Sequence, residues 1–141
     1  MPGLTSNGRP YVLVIDDDDD IREGLMVYLE DHGFSPLGAA NGQRALEMLA
    51  NSAQRPCAIV LDLMMPVMDG RMFREEQLRF AGLADIPVVL ISAYANLTAV
   101  AHELRIEDYL TKPIDPRALV RVICDRCGSS ATASGSSCPV G

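Results

Sequence analysis

The chain has no tryptophan, and its aromatic residues make up only 5% of 141 positions. Basic residues are also scarce, with 12 Lys and Arg against 19 Asp and Glu and a formal net charge of -7. That balance argues against a dominant role in nucleic-acid binding, which calls for a basic face that releases counterions from phosphates. Met1 to Pro10 lacks the apolar core of a signal peptide. No uninterrupted apolar segment approaches the ~20 residues that cross a bilayer. A soluble protein with no membrane partner, located in the cytoplasm, is the expectation. Four cysteines, Cys57, Cys124, Cys127 and Cys138, do not form a paired metal-ligand pattern. In the cytoplasm they are expected to be reduced, with the lone Cys124/Cys127 pair reading as part of a helix end.

What is present is ordinary for a folded domain: 48% hydrophobic and 22% charged residues, in a length that suits one domain. Short apolar runs stop abruptly at polar residues. Tyr11 to Ile15 stops at Asp16 and Asp17, Ala58 to Leu61 at Asp62, Val88 to Ile91 at Ser92, and Tyr109 to Thr111 at Lys112. The segments between them carry helical spacing. Ile21, Leu25, Tyr28 and Leu29 form one stripe that Gly33 can terminate. Asn41 can cap a second helix bearing Ala45, Leu46 and Leu49. Met72 and Phe73 begin a third that runs to about Phe80. Asp115 followed by Pro116 starts the last, whose stripe is Leu119, Val122 and Ile123.

Strands alternating with helices predict an α/β fold with a parallel sheet covered on both faces. Phe34 to Ala40 is the weakest strand candidate, and Pro36 within it suits an edge position, which fits a five-stranded order 2-1-3-4-5. Residues 1–9 read as a flexible leader and 10–127 as the domain. The small-polar stretch over 128–141 reads as a disordered tail too poor in apolar residues to build a core.

In a parallel sheet the strands end on one edge, and ligands bind beyond those carboxyl ends. Asp16, Asp17, Asp62, Ser92 and Lys112 all stand where an apolar run ends, so the topology gathers them. Taken alone, the run from Asp16 to Asp20 reads as a solvated helix cap, but its place after an apolar strand favours cation binding. Crowded carboxylates raise one another's pKa unless a cation compensates. An all-oxygen set favours Mg²⁺, with Mn²⁺ as the alternative. With Lys112 neutralising charge and Ser92 offering a hydroxyl, this is a phosphoryl-transfer set in which Asp62, the single acid ending the third strand, is the nucleophile.

The segments Val14-Ile15-Asp16-Asp17-Asp18-Asp19-Asp20-Ile21-Arg22, Asp62-Leu63-Met64-Met65-Pro66-Val67-Met68-Asp69-Gly70, Leu90-Ile91-Ser92-Ala93 and Tyr109-Leu110-Thr111-Lys112-Pro113 resemble the response-regulator receiver family in order and approximate spacing. The likeness covers about residues 10 to 127. It implies a doubly wound (βα)5, flavodoxin-like fold, and the strand order 2-1-3-4-5 is that family's own rather than an independent deduction. It further implies that Asp62 is phosphorylated by a histidine kinase or histidine phosphotransfer protein in a two-component phosphorelay. Mg²⁺ would be held by Asp16, Asp17, Asp62 and the Met64 backbone carbonyl, and Lys112 would pair with the phosphate. Ser92 and Tyr109 take the places of the family's switch residues, and Lys112-Pro113 resembles its cis-proline turn. Such a receiver is a signalling domain, not an enzyme on outside substrates, although it takes part in its own phosphotransfer and autodephosphorylation. It would stand alone as a monomer or weak dimer and signal by conformational switching to an unknown downstream protein. Bulk at Met64 and Tyr94 implies slow decay.

Two departures stand out. Between Ser92 and Lys112 the chain is about two residues shorter than usual, and Arg105 stands where many members have glycine before the fifth strand. A short, shifted or irregular helix is expected there. Two other functions stay open at this point. One is a receiver-like module that docks a partner regardless of phosphorylation. The other is a small Mg²⁺-dependent phosphatase-type enzyme, which would need a second acid/base and a substrate pocket.

Overall fold

The computed structural model describes residues 8–132. Five strands, β1 (Tyr11–Ile15), β2 (Ser35–Ala39), β3 (Ala58–Asp62), β4 (Val88–Ser92) and β5 (Asp108–Thr111), form one sheet of order β2-β1-β3-β4-β5. Every pairing is parallel. The helices are α1 (Asp19–Asp31), α2 (Gly42–Ala50), α3 (Gly70–Arg79), α4 (Ala81–Ala84), α5 (Leu97–Glu103) and α6 (Pro116–Thr132). This is the expected doubly wound α/β fold.

Every residue of β1, β3 and β4 is buried, as strands covered on both faces require, and this explains their unbroken apolar runs. Side chains alternate between two half-cores. Leu13, Ile15, Ile59, Leu61 and Leu90 meet Ala45, Leu49, Phe73 and Val100 on one face. Val12, Val14, Val60, Val89 and Ile91 meet Leu25, Leu29, Leu119 and Ile123 on the other. Pro36 does lie in an edge strand, opposite Val12.

The expected caps are in place. Asn41 accepts from the Arg44 amide, and Asp115 accepts from the Arg117 amide ahead of Pro116. At the end of α1 the Gly33 amide bonds the Glu30 carbonyl and the Phe34 amide bonds the Leu29 carbonyl, with Gly33 at φ 93°. This is a Schellman stop. The end of α5 repeats it: the Arg105 amide bonds the His102 carbonyl and the Ile106 amide bonds the Ala101 carbonyl. Here, however, the left-handed residue is Arg105, at φ 58°. The fourth crossover helix is short, as expected, at 7 residues.

Three features differ from the sequence reading. A four-residue helix, α4, follows α3, where only a connection was expected. Helix α6 continues through Thr132, five residues past the boundary expected at 127, while 1–7 and 133–141 lie outside the described residues. The cysteines among the described residues are not reduced: Cys57 and Cys127 are joined, with Cα atoms 5.4 Å apart, and Cys124 is also disulfide-bonded. Cys127 is on the face of α6 that packs on β3, which starts one residue after Cys57, so tertiary packing brings the two together. Their separation of 70 residues hides that pairing from any local motif.

Candidate functional site

The carboxyl edge of the sheet collects the residues singled out by their strand-end positions. Asp16 and Asp17 follow β1, Asp62 ends β3, Ser92 ends β4, and Lys112 follows β5. The Lys112 amide bonds the Ser92 carbonyl at 2.9 Å, which extends the β4–β5 ladder to the site. The Lys112–Pro113 peptide is cis. Gly70 opens α3 beside the end of β3. A Cβ there would stand 2.7 Å from the Asp62 carbonyl oxygen and 2.8 Å from Leu63 Cα, so only glycine permits that approach.

Asp16 is fully buried and Asp62 is 2% exposed, whereas Asp17 is open to solvent. One oxygen from each of Asp16, Asp17 and Asp62 lies within 4.8 Å of the other two. Lys112 Nζ is 3.1 Å from Asp16 Oδ2 and 3.4 Å from Asp62 Oδ2. Apart from this ion pair, Asp16 Oδ2 is buried with no hydrogen-bond partner among the described residues. A buried, unsatisfied carboxylate oxygen in an all-oxygen set is what a hard divalent cation fits.

Burial, and then the charge of Asp16, push the Asp62 carboxyl up to about 7, against the opposing pull of Lys112 and the Met64 amide. Burial depresses the Lys112 ammonium, but its contacts with Asp16 and the charges of Asp62 and Asp16 outweigh this and leave it raised. Lysine is therefore cationic at neutral pH, and Asp62 is poised between acid and carboxylate.

The five consecutive acids divide their work. The Asp18 amide bonds Asp16 Oδ1 at 2.9 Å and fixes that side chain. Asp18 itself caps α1 by accepting from the Ile21 amide. Asp19 pairs with Arg22. The Met64 amide reaches Asp62 Oδ1 at 3.4 Å. Ser92 is buried, with Oγ accepting from the Tyr94 amide at 3.0 Å, and Tyr109 stands 38% exposed on β5. The structure thus brings Asp16, Asp17 and Asp62 within reach of one another and Lys112 against Asp16 and Asp62, with Ser92 on the adjoining strand end and Tyr109 on β5.

Sequence reasoning missed Arg22, whose Nη1 donates to the Asp16 carbonyl at 2.7 Å. Its position six residues after Asp16, about one turn into α1, was the available signal. A cleft of about 360 Å³ beside Lys112 is lined by Ile21, Tyr28, Pro113 and Ile114. A larger cleft of about 570 Å³ lies between α2 and α3–α4 and is lined by none of Asp16, Asp17 and Asp62, so chemistry rather than size marks the site.

Comparison with known proteins agrees with this geometry. The family described as the response regulator receiver domain matches residues 12–124. The chain is 36% identical to an uncharacterized 14.6 kDa protein of Leptolyngbya boryana, over 82% of this chain and 88% of that one. It is 38% identical to the transcriptional regulatory protein PrrA of Mycobacterium tuberculosis, aligned over 99% of this chain but only 59% of PrrA. The chain thus spans about three fifths of the length of that relative. Among solved structures, a response regulator receiver protein from Pseudomonas putida superposes with a TM-score of 0.76 at 27% identity, over 83% of this chain and 97% of the other. The receiver domain of a Francisella response regulator gives 0.75 at 28%, over 86% and 98%. Family match, strand order and site geometry agree: the chain belongs to the response-regulator receiver family, the signalling domains of two-component systems.

Proposed function

We propose that Asp62 accepts a phosphoryl group from a phosphohistidine on a histidine kinase or histidine phosphotransfer protein. The observation that supports this most is the ammonium of Lys112 set against Asp16 and Asp62 around an unsatisfied buried oxygen. An Asp62 oxygen attacks phosphorus, the N–P bond breaks, and its electron pair returns to the imidazole, which takes up a proton. Asp16, Asp17, Asp62 and the Met64 carbonyl would hold Mg²⁺, or Mn²⁺ in its place. When bound, the ion supplies charge neutralisation for the phosphoryl oxygens. Lys112 counters the same charge from the other side.

The new aspartyl phosphate then biases a switch. Ser92 Oγ, now held by the Tyr94 amide, exchanges that partner for a phosphoryl oxygen, and Tyr109 on the neighbouring strand follows. Met64, 64% exposed, and Tyr94, 48% exposed, flank the approach of water and slow hydrolysis of the acyl phosphate. The signal passes to a downstream protein by surface recognition, without contact between this acidic domain and nucleic acid. The reading carries a cytoplasmic location with it, and the Cys57–Cys127 bridge is the observation that pulls against that location.

Acetyl phosphate, Mg²⁺ and intact-mass measurement test the proposal. One labile adduct is expected, blocked by prior chelation and absent from Asp62→Asn. Labelling that persists in Asp62→Asn overturns the site assignment, and turnover of many phosphoesters would favour a phosphatase-type enzyme.

A further inference from the structure

We infer that Arg22 is a positioning residue that holds the loop of Asp16 and Asp17 in its cation-binding geometry. The inference rests on the cation site of the proposed function, but its argument is local to one side chain. Arg22 projects from the first turns of α1 with its side chain only 15% exposed. Its guanidinium is divided between two acceptors on the acidic segment. Nη1 donates to the Asp16 carbonyl at 2.7 Å and Nη2 to Asp19 Oδ1 at 2.6 Å.

Space for this arm is built into β2. A Cβ at Gly38 would stand 2.8 Å from Met26 Sδ, 3.0 Å from Arg22 Cδ and 3.3 Å from its Nε, so a larger residue there would crowd both Met26 and the arginine. The planar fork suits two acceptors at a fixed angle, and a lysine ammonium cannot reproduce it.

The consequence follows from where the two bonds land. The Asp16 carbonyl belongs to the peptide plane that joins Asp16 to Asp17, so fixing that carbonyl fixes the plane on which Asp17 is carried. The Asp18 amide holds the Asp16 carboxylate from the other direction, at Oδ1. The Asp18 amide takes Asp16 Oδ1, so it is Oδ2 that faces Asp62 and forms the ion pair with Lys112, while Arg22 holds the backbone of the same residue. The pairing of Asp19 with Arg22 also keeps one more carboxylate occupied outside the cluster of Asp16, Asp17 and Asp62.

Positioning and plain electrostatics predict opposite signs. A guanidinium beside a cation site repels the ion, so removing its charge should tighten Mg²⁺ binding if charge were its whole effect. Loss of an outer hydrogen bond that orients the ligands should weaken binding, by about 10–100-fold in metal sites generally. Calorimetric Mg²⁺ titration of the full chain separates these, with melting temperatures recorded in chelator. Arg22→Met is expected to raise the Mg²⁺ Kd about tenfold or more. Arg22→Lys, which keeps the charge and loses the fork, should also bind more weakly than the parent. The Mg²⁺ concentration that half-saturates acetyl phosphate labelling should rise by the same factor, a shift that a lower melting temperature alone does not produce.

Unchanged or tighter Mg²⁺ binding by a folded Arg22→Met overturns the inference. If that variant fails to fold, Arg22→Lys decides, with parent-like affinity overturning it and weaker affinity supporting it. Absence of Mg²⁺ binding by the unmodified chain is a different failure, because it removes the cation site itself and the inference with it.

Discussion

Lys112 Nζ lies 3.1 Å from Asp16 Oδ2 and 3.4 Å from Asp62 Oδ2, so one ammonium bridges the acids at the ends of β1 and β3. The balance is incomplete, because burial and Asp16 still raise Asp62 to about 7. Lys112 pairs with two of the three clustered carboxylates, and the deficit of positive charge is what a divalent cation would fill.

The first prediction concerns pH. In the unfolded chain Asp62 loses its proton near 3.8, and in the folded chain only near 7. Between those values the folded state binds more protons, so its contribution to stability is full below 3.8 and fades as pH rises to about 7. The effect is of the order of a few kcal/mol at most, at about 1.4 kcal/mol per pH unit. Urea denaturation in chelator, from pH 4 to 8, should show Asp62→Asn gaining on the parent as pH rises. Parallel pH profiles would show that Asp62 titrates normally. Mg²⁺ binding below pH 7 should also release a proton, measurable in buffers of different ionisation enthalpy.

Lys112→Ala removes the bridging ammonium. Two buried acids then face each other uncompensated, and the apo domain should lose about 3 kcal/mol at pH 8. The loss should shrink at pH 5, where Asp62 is protonated. Mg²⁺ binding should survive, since no cation remains to oppose the ion, while the phosphorylated form should fail to reach its signalling conformation. Loss of Mg²⁺ binding in the calorimeter would reverse the division of roles between lysine and carboxylates.

The third prediction comes from comparing two helix ends built alike. The stop of α1 uses Gly33 at φ 93° and that of α5 uses Arg105 at φ 58°. A side chain in the left-handed region costs about 1–2 kcal/mol, and glycine returns part of that as unfolded-state entropy. Arg105→Gly should therefore stabilise the domain by about 0.5–1 kcal/mol in urea, whereas destabilisation would mean that the Arg105 side chain makes a contact worth more than its strain.

These particulars show what the sequence made legible. Asp62 and Lys112 could be placed because strand ends in a parallel sheet share one edge, and an apolar run followed by a polar residue marks each end. The missing glycine at Arg105 correctly pointed to an unusual fourth crossover. Arg74 and Gln77 gave no such signal. They look like ordinary polar positions of α3, yet Gln77 is fully buried and donates to the Leu83 and Ile86 carbonyls, while Arg74 bonds the Leu104 and Arg105 carbonyls. Periodicity reports which residues are apolar, and cannot reveal a polar pair that enters the core to satisfy backbone from two loops. The cysteine pairing was hidden for the same reason, since it depends on which helix covers which strand.

The Cys57–Cys127 bridge supplies the last prediction. It closes a loop of 70 residues, for which chain entropy gives about 3–5 kcal/mol of stabilisation. The parent should therefore unfold at lower urea with a dithiol reductant present. A Cys57→Ala/Cys127→Ala variant should start near that lower value, and its residual response to reductant then measures the separate bond at Cys124. Identical curves for the parent with and without reductant would mean that the thiols pack without bonding. The bridge lies at the amino edge of the sheet, where the Cys57 amide bonds the Tyr11 carbonyl, and Asp62 lies at the opposite end of β3. Because the strand between them is rigid and fully buried, opening the bridge should lower stability while leaving the Mg²⁺ dependence of Asp62 labelling within about twofold of the parent, a difference of roughly 0.4 kcal/mol.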